Sequence, residues 1–111
     1  MAEVTRAALF GPGSRETIDD LIISKADLAR KGLTPAAINT PESMWLCIHL
    51  MAIDVLTEAN QTNNPEQNIT ITEPFNNQSF VNRDGKNFRQ VTYATNMQQL
   101  DDNFVLDPNK F

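Results

Sequence analysis

Residues 41–59, PESMWLCIHLMAIDVLTEA, are the stretch whose reading decides the fold. Thr40 is a good N-cap and Pro41 suits the first helical position, so a helix is expected over roughly 41–59. Apolar side chains surround it: Met44, Trp45, Leu46, Cys47, Ile48, Leu50, Met51, Ala52, Ile53, Val55 and Leu56. A helix that is apolar all round is buried all round. It therefore needs several partners, and the rest of the chain can be asked what it supplies.

Upstream, residues 14–31, SRETIDDLIISKADLARK, read as an amphipathic helix. Ser14 caps it, and Glu16, Asp19 and Asp20 sit where the helix dipole favours negative charge. Ile18, Leu21, Ile22, Leu28 and Ala29 recur at helical spacing. Lys25, Arg30 and Lys31 gather at the other end, and Gly32 supplies the stop. Leu33 to Ile38 reads as a turn or one short helical turn. Ala2 to Phe10 offers a third short helix through Val4, Ala7, Ala8 and Leu9. Two small helices cannot cover the 41–59 helix, so part of it is expected to pack against another chain through Met44, Trp45, Ile48, Met51 and Ile53. The competing reading lets strands from the second half complete the core.

Downstream the composition changes. Residues 1–59 hold one Asn and no Gln, whereas 17 of the 52 residues from 60 to 111 are carboxamides. Residues 61–67 read as a polar loop. Residues 68–72, NITIT, alternate as a half-buried strand ended by Glu73-Pro74. Asp84-Gly85 marks a turn dipeptide for a hairpin over 80–93. Six of the eight aromatic residues lie in the last 37 positions: Phe75, Phe80, Phe88, Tyr93, Phe104 and Phe111. Disordered segments are poor in aromatics. The rings are therefore expected to anchor an extended arm, 75–111, on a neighbour, with Asn and Gln bonding that neighbour's backbone. The expected fold is thus mainly α: a small bundle of two main helices and a short N-terminal one, a short strand or hairpin, and a long arm. The helical head with its terminal strand would occupy 1–74.

The chemistry is sparse. Net charge is −5, which disfavours general nucleic-acid binding. Arg83, Lys86 and Arg89 form the one local basic patch, suited to an acidic surface or, less favoured, to DNA. Cys47 is the sole cysteine, so no internal disulfide exists and a small buried hydrophobe is the natural reading. His49 is two residues away and on a different helix face, so the two do not form a nucleophile–base pair. Gly11-Pro12-Gly13 lacks the lysine and serine of a phosphate loop and reads as a turn. Asp19-Asp20 and Asp101-Asp102 lack a partner base. No cofactor, metal or catalytic set is expected, and the chain is read as a non-enzyme. The sequons at Asn60, Asn68 and Asn77 are the chance matches an Asn- and Thr-rich segment produces. The N-terminus lacks a signal-peptide pattern, and Met44–Ile53 is too short to span a bilayer; a cytoplasm-like compartment and no membrane partner are expected.

The pair Ser14–Lys31 and Pro41–Ala59, followed by NITIT at 68–72 and the arm 75–111, resembles the small head–tail connector (adaptor or head-completion) proteins of tailed bacteriophages. The resemblance implies a helical fold with a hairpin and a ring of copies, often a dodecamer, beneath the portal. It also implies docking of Phe104 to Phe111 onto portal or tail proteins, and a place in the virion neck after assembly in the host cytoplasm. The arm is longer and richer in Asn than that pattern. The alternative from another class is a small acidic inhibitor or regulator that mimics nucleic acid on a nucleic-acid-processing enzyme.

Overall fold

The computed structural model describes residues 4–101 and 105–111. It is an α/β protein, not a mainly α bundle: 34% of the described residues are helical and 23% are in strands. The correction has two sources: two expected helices break, each at a hydroxyl, and the second half is built of strands.

The expected 14–31 helix is broken in three. Arg15–Glu16 (β1) pairs antiparallel with Leu21–Ile22 (β2). Between them the Thr17 hydroxyl accepts from the Asp19 and Asp20 amides, and Thr17 N–H donates to the Asp20 carbonyl at 2.8 Å. This local bonding competes with the helix ladder, and Ile18 is left fully exposed at the tip. Ser24 then caps a new short helix, Lys25–Leu28 (α2), through the Ala26 amide. A 3₁₀ turn, Ala29–Lys31, ends at Gly32 with φ +102°. Before all this, Thr5 caps the short Arg6–Phe10 helix (α1), which packs on the main helix.

The main helix, Pro41–Val55 (α3), is capped by Thr40 Oγ1 on the Ser43 amide. It ends four residues before the expected Ala59. Leu56 leaves helical geometry, and its carbonyl accepts from Ile71 N–H at 2.7 Å, tying the helix end to a strand. Thr57 then caps Glu58–Asn63 (α4), which starts in the expected helix end and runs three residues into the expected polar loop, 61–67.

The second half is a β-ribbon. Ile69–Thr72 (β3) pairs antiparallel with Ala94–Met97 (β6), and Gln78–Arg83 (β4) pairs with Lys86–Val91 (β5). The two ladders join through Thr92 N–H to the Asn77 carbonyl at 2.7 Å. Five residues, 73–77, oppose two, 92–93, so the ribbon kinks there, with Asn76 at φ +58°. The expected extended arm is therefore largely a hairpin plus a returning strand that hydrogen-bonds to the head. The turn falls on Asp84-Gly85, whose φ values of +51° and +73° are both left-handed, as a two-residue hairpin loop of matching twist requires. Nothing lies within 4 Å of a Cβ built on Gly85, so only backbone strain opposes a side chain there. Gly85→Val is expected to cost about 1–2 kcal/mol, all of it in the ribbon. Amide exchange should accelerate at Val81 and Phe88 while α3 is unchanged.

The core is thin. Leu28, Cys47 and Met51 form its centre, with Ile23, Leu33, Met44 and Ile48 packed around them, and Leu56 and Ile71 are buried beside it. A globular chain of this mass exposes about 6,100 Å². This one exposes 8490 Å². Its radius of gyration is 16.3 Å, against about 13 Å for a compact chain of this length.

Candidate functional site

Helix α3 has two faces of different fate. Cys47 and Met51, one turn apart, point into the core. Trp45 and Leu46 point to solvent, 65% and 55% exposed. The all-round burial expected of this helix does not occur within the chain, because α1, α2 and β3 cover only one side of it. Of the five residues expected to face another chain, Met51 lies in the chain's own core, and Met44 and Ile48 pack against that core. Ile53 is half-buried and Trp45 is exposed. Leu46, which sequence reasoning placed on the helix without singling out, belongs to the open face. Its i, i+1 relation to Trp45 gave no signal until the buried stripe was located.

That open face is a groove lined by Glu42, Ser43, Trp45, Leu46 and His49. His49 sits between two rings, 6.3 Å from Trp45 and edge-on to Tyr93 at 5.7 Å. Tyr93, expected to anchor on a neighbour, thus holds the ribbon's return strand against α3 of its own chain. A second hollow, lined by Leu46, His49, Leu50, Gln90, Val91, Thr92 and Tyr93, continues the groove to the base of the hairpin.

The hairpin carries the basic patch. Every residue of β4 and β5 is exposed. Opposed residues share a face, so Phe80, Arg89 and Val91 lie on one side and Val81, Phe88, Arg83 and Lys86 on the other. Arg83 stacks over Phe88 at 4.4 Å, and Arg89 over Phe80 at 5.0 Å. Arg89 also donates to Gln78 Oε1 at 2.7 Å. None of the three cations forms an ion pair among the described residues. Residues 78–91 carry three basic groups and one acid, a formal +2, so the remainder of the chain carries −7.

The other ring positions are scattered. Phe75 is 94% exposed at the ribbon kink, and Phe80 is 72% exposed. Phe111 lines a hollow with Val4, Leu9, Leu56 and Ile69. Phe104 lies outside the described residues. Some carboxamides serve the fold itself: Asn60 and Gln67, both buried, bond each other at 2.7 Å beneath α4. Asn60 is therefore no acceptor for a glycan.

No catalytic arrangement emerges from the described residues. Among the described residues, no group of three or more His, Cys, Asp or Glu side chains is placed to hold a metal ion. Buried Asp27 accepts from the Gly13 amide at 2.8 Å and so fastens the Gly11–Gly13 turn. Among the described residues, no helix is long and apolar enough to cross a membrane. Comparison with protein-family models, with curated proteins and with solved structures finds no match for this chain.

Proposed function

We propose that the chain is a structural subunit of a larger assembly, acting by contact and not by catalysis. The observation that carries this reading is the surface: 8490 Å² exposed, with Trp45, Leu46, Phe75 and Phe80 all more than half open. The excess over a compact chain is about 2,400 Å². A standard specific interface removes about 1,600 Å² counted over both partners. Each partner contributes about 800 Å² of that, so the excess is more than enough for two such contacts per subunit.

The specific setting proposed is the connector ring between head and tail of a tailed phage, with copies of the chain packed side by side and portal and tail proteins above and below. The 14–31 helix that contributed to this resemblance is absent. What supports the setting is the remaining pattern: a small head with an incompletely covered helix, and a long two-stranded projection. The acidic-inhibitor alternative is the weaker, since the acidic residues are dispersed along the sequence in no run longer than two.

Sedimentation velocity tests the reading. The purified chain is expected to show a concentration-dependent mass above the 12.4 kDa monomer, or to bind a purified portal ring. A monomer at all concentrations that ignores the portal would overturn it.

A further inference from the structure

The proposal concerns what the cationic hairpin touches, and it rests on the assembly reading above. We propose that the hairpin of one subunit seats its Phe80–Arg89 face in the α3 groove of the next copy, against Trp45 and Leu46 and beside Glu42.

Three observations converge on a second copy of this chain as the occupant. The first is charge: the hairpin carries +2, with Arg89 the cation on the seating face, and the rest of the chain −7, so unlike parts attract. The second is chemistry. Phe80, 72% exposed, is a large ring already backed by a guanidinium, and the groove offers Trp45, Leu46 and a carboxylate at Glu42. Tryptophan and arginine are among the residue types enriched at the energetic centres of protein interfaces. The third is area. The Phe80–Arg89 pair and the Trp45–Leu46 groove share no residue, so each copy buries both, about 1,600 Å² in all for two standard contacts. That lies within the excess the monomer exposes.

Nucleic acid is the weaker occupant. Affinity for a phosphate backbone scales with the number of phosphates neutralised. Three cations neutralise few, while the −7 body repels the polymer. A contact between two different patches is heterologous, and repeated copies of it generate a closed ring or a filament.

Complementation tests the contact. One variant breaks the hairpin, Phe80→Thr with Arg89→Glu; the other breaks the groove, Trp45→Ala with Leu46→Asp. Each alone is expected to associate at least about 100-fold more weakly than the parent. Mixed, they should form a one-to-one dimer that grows no further. The intact hairpin of the groove variant docks on the intact groove of the hairpin variant, and neither can extend. That dimer also shows that both variants are folded. If either variant alone keeps the parent's mass distribution, or the mixture stays monomeric while the parent assembles, the hairpin–groove contact is wrong and the assembly reading stands. If the parent is monomeric and ignores the portal, both are wrong. Binding of a fluorescein-labelled DNA duplex by a monomeric parent, abolished by the hairpin variant, would replace the second copy with nucleic acid.

Discussion

Gly11→Val is expected to lower the melting temperature by more than 15 °C, corresponding to a loss of about 4 kcal/mol. Gly11 has φ +100° and ψ +151°, a region that side-chain-bearing residues scarcely populate. A Cβ there would lie 2.5 Å from Cβ, Cγ and Oδ2 of Asp27. Asp27 cannot move aside freely: it is buried, and its carboxylate holds the Gly13 amide. Ser14, also buried, donates its hydroxyl to the Gly11 carbonyl at 2.7 Å. Strain and overpacking therefore add, in a domain whose whole stability is about 5–15 kcal/mol. Gly32→Val is the control. Its φ is +102°, but nothing lies within 4 Å of the added carbon, so only strain of about 1–2 kcal/mol remains. Thermal melts followed by circular dichroism separate the two. Equal losses at both positions would mean that the Asp27 packing is not rigid.

Gln67→Leu is expected to cost about 3 kcal/mol, as much as a core truncation, although the substitution adds apolar character. Gln67 Nε2 donates to the Thr57 carbonyl at 3.1 Å and to the Ile69 carbonyl at 2.8 Å. Its Oε1 accepts from Asn60. Removing the side chain strands the buried Asn60 amide and takes a donor from the part-buried Ile69 and Thr57 carbonyls, of which Thr57 keeps only the Gln61 N–H. Adding Asn60→Leu should cost less than its own single effect, by about 1 kcal/mol, because one stranded donor disappears with it. Urea unfolding of the two single variants and the double variant measures that coupling. Simple additivity would mean that the Asn60–Gln67 bond contributes little.

How much of this was legible follows from the range over which each signal acts. Thr40-Pro41 and Asp84-Gly85 encode their geometry within a dipeptide, and the structure has a helix start and a hairpin turn at those positions. Residues 14–31 misled because Ile18, Leu21 and Ile22 fit a helical period, while the Thr17 hydroxyl decides for a turn by a local bond that periodicity does not register. Thr57 is a second N-cap inside what reads as one continuous helix, and the break becomes explicable only with Ile71 bonded to Leu56. Residues 94–97, ATNM, lack strand alternation; their partner, Ile69–Thr72, lies far back in the chain and meets them only once the ribbon has turned. The carboxamides of 61–67 read as a polar loop, and those of the arm as bonding a neighbour's backbone. Asn60, Gln61, Gln67 and Gln98 instead bond one another and nearby backbone groups where α4 meets β3.

The candidate site was half visible. Trp45 and the three hairpin cations stand out by type and position. Which side of α3 remains open depends on the Leu28–Cys47–Met51 cluster, a tertiary fact. Tyr93 could not be told from Phe80 in the sequence. One packs on its own His49 and the other projects into solvent.

Trp45 is the chain's only tryptophan, and it lies on the face that the account assigns to a neighbouring subunit. Its fluorescence, recorded with iodide quenching across a dilution series alongside the sedimentation mass, is the most direct test. The account predicts a blue-shifted, quencher-protected emission in concentrated protein. On dilution it should shift red and become quenchable, over the same range in which the mass falls to 12.4 kDa. An emission that stays red and fully quenchable while the mass rises would mean that assembly leaves this face open, and would contradict the account.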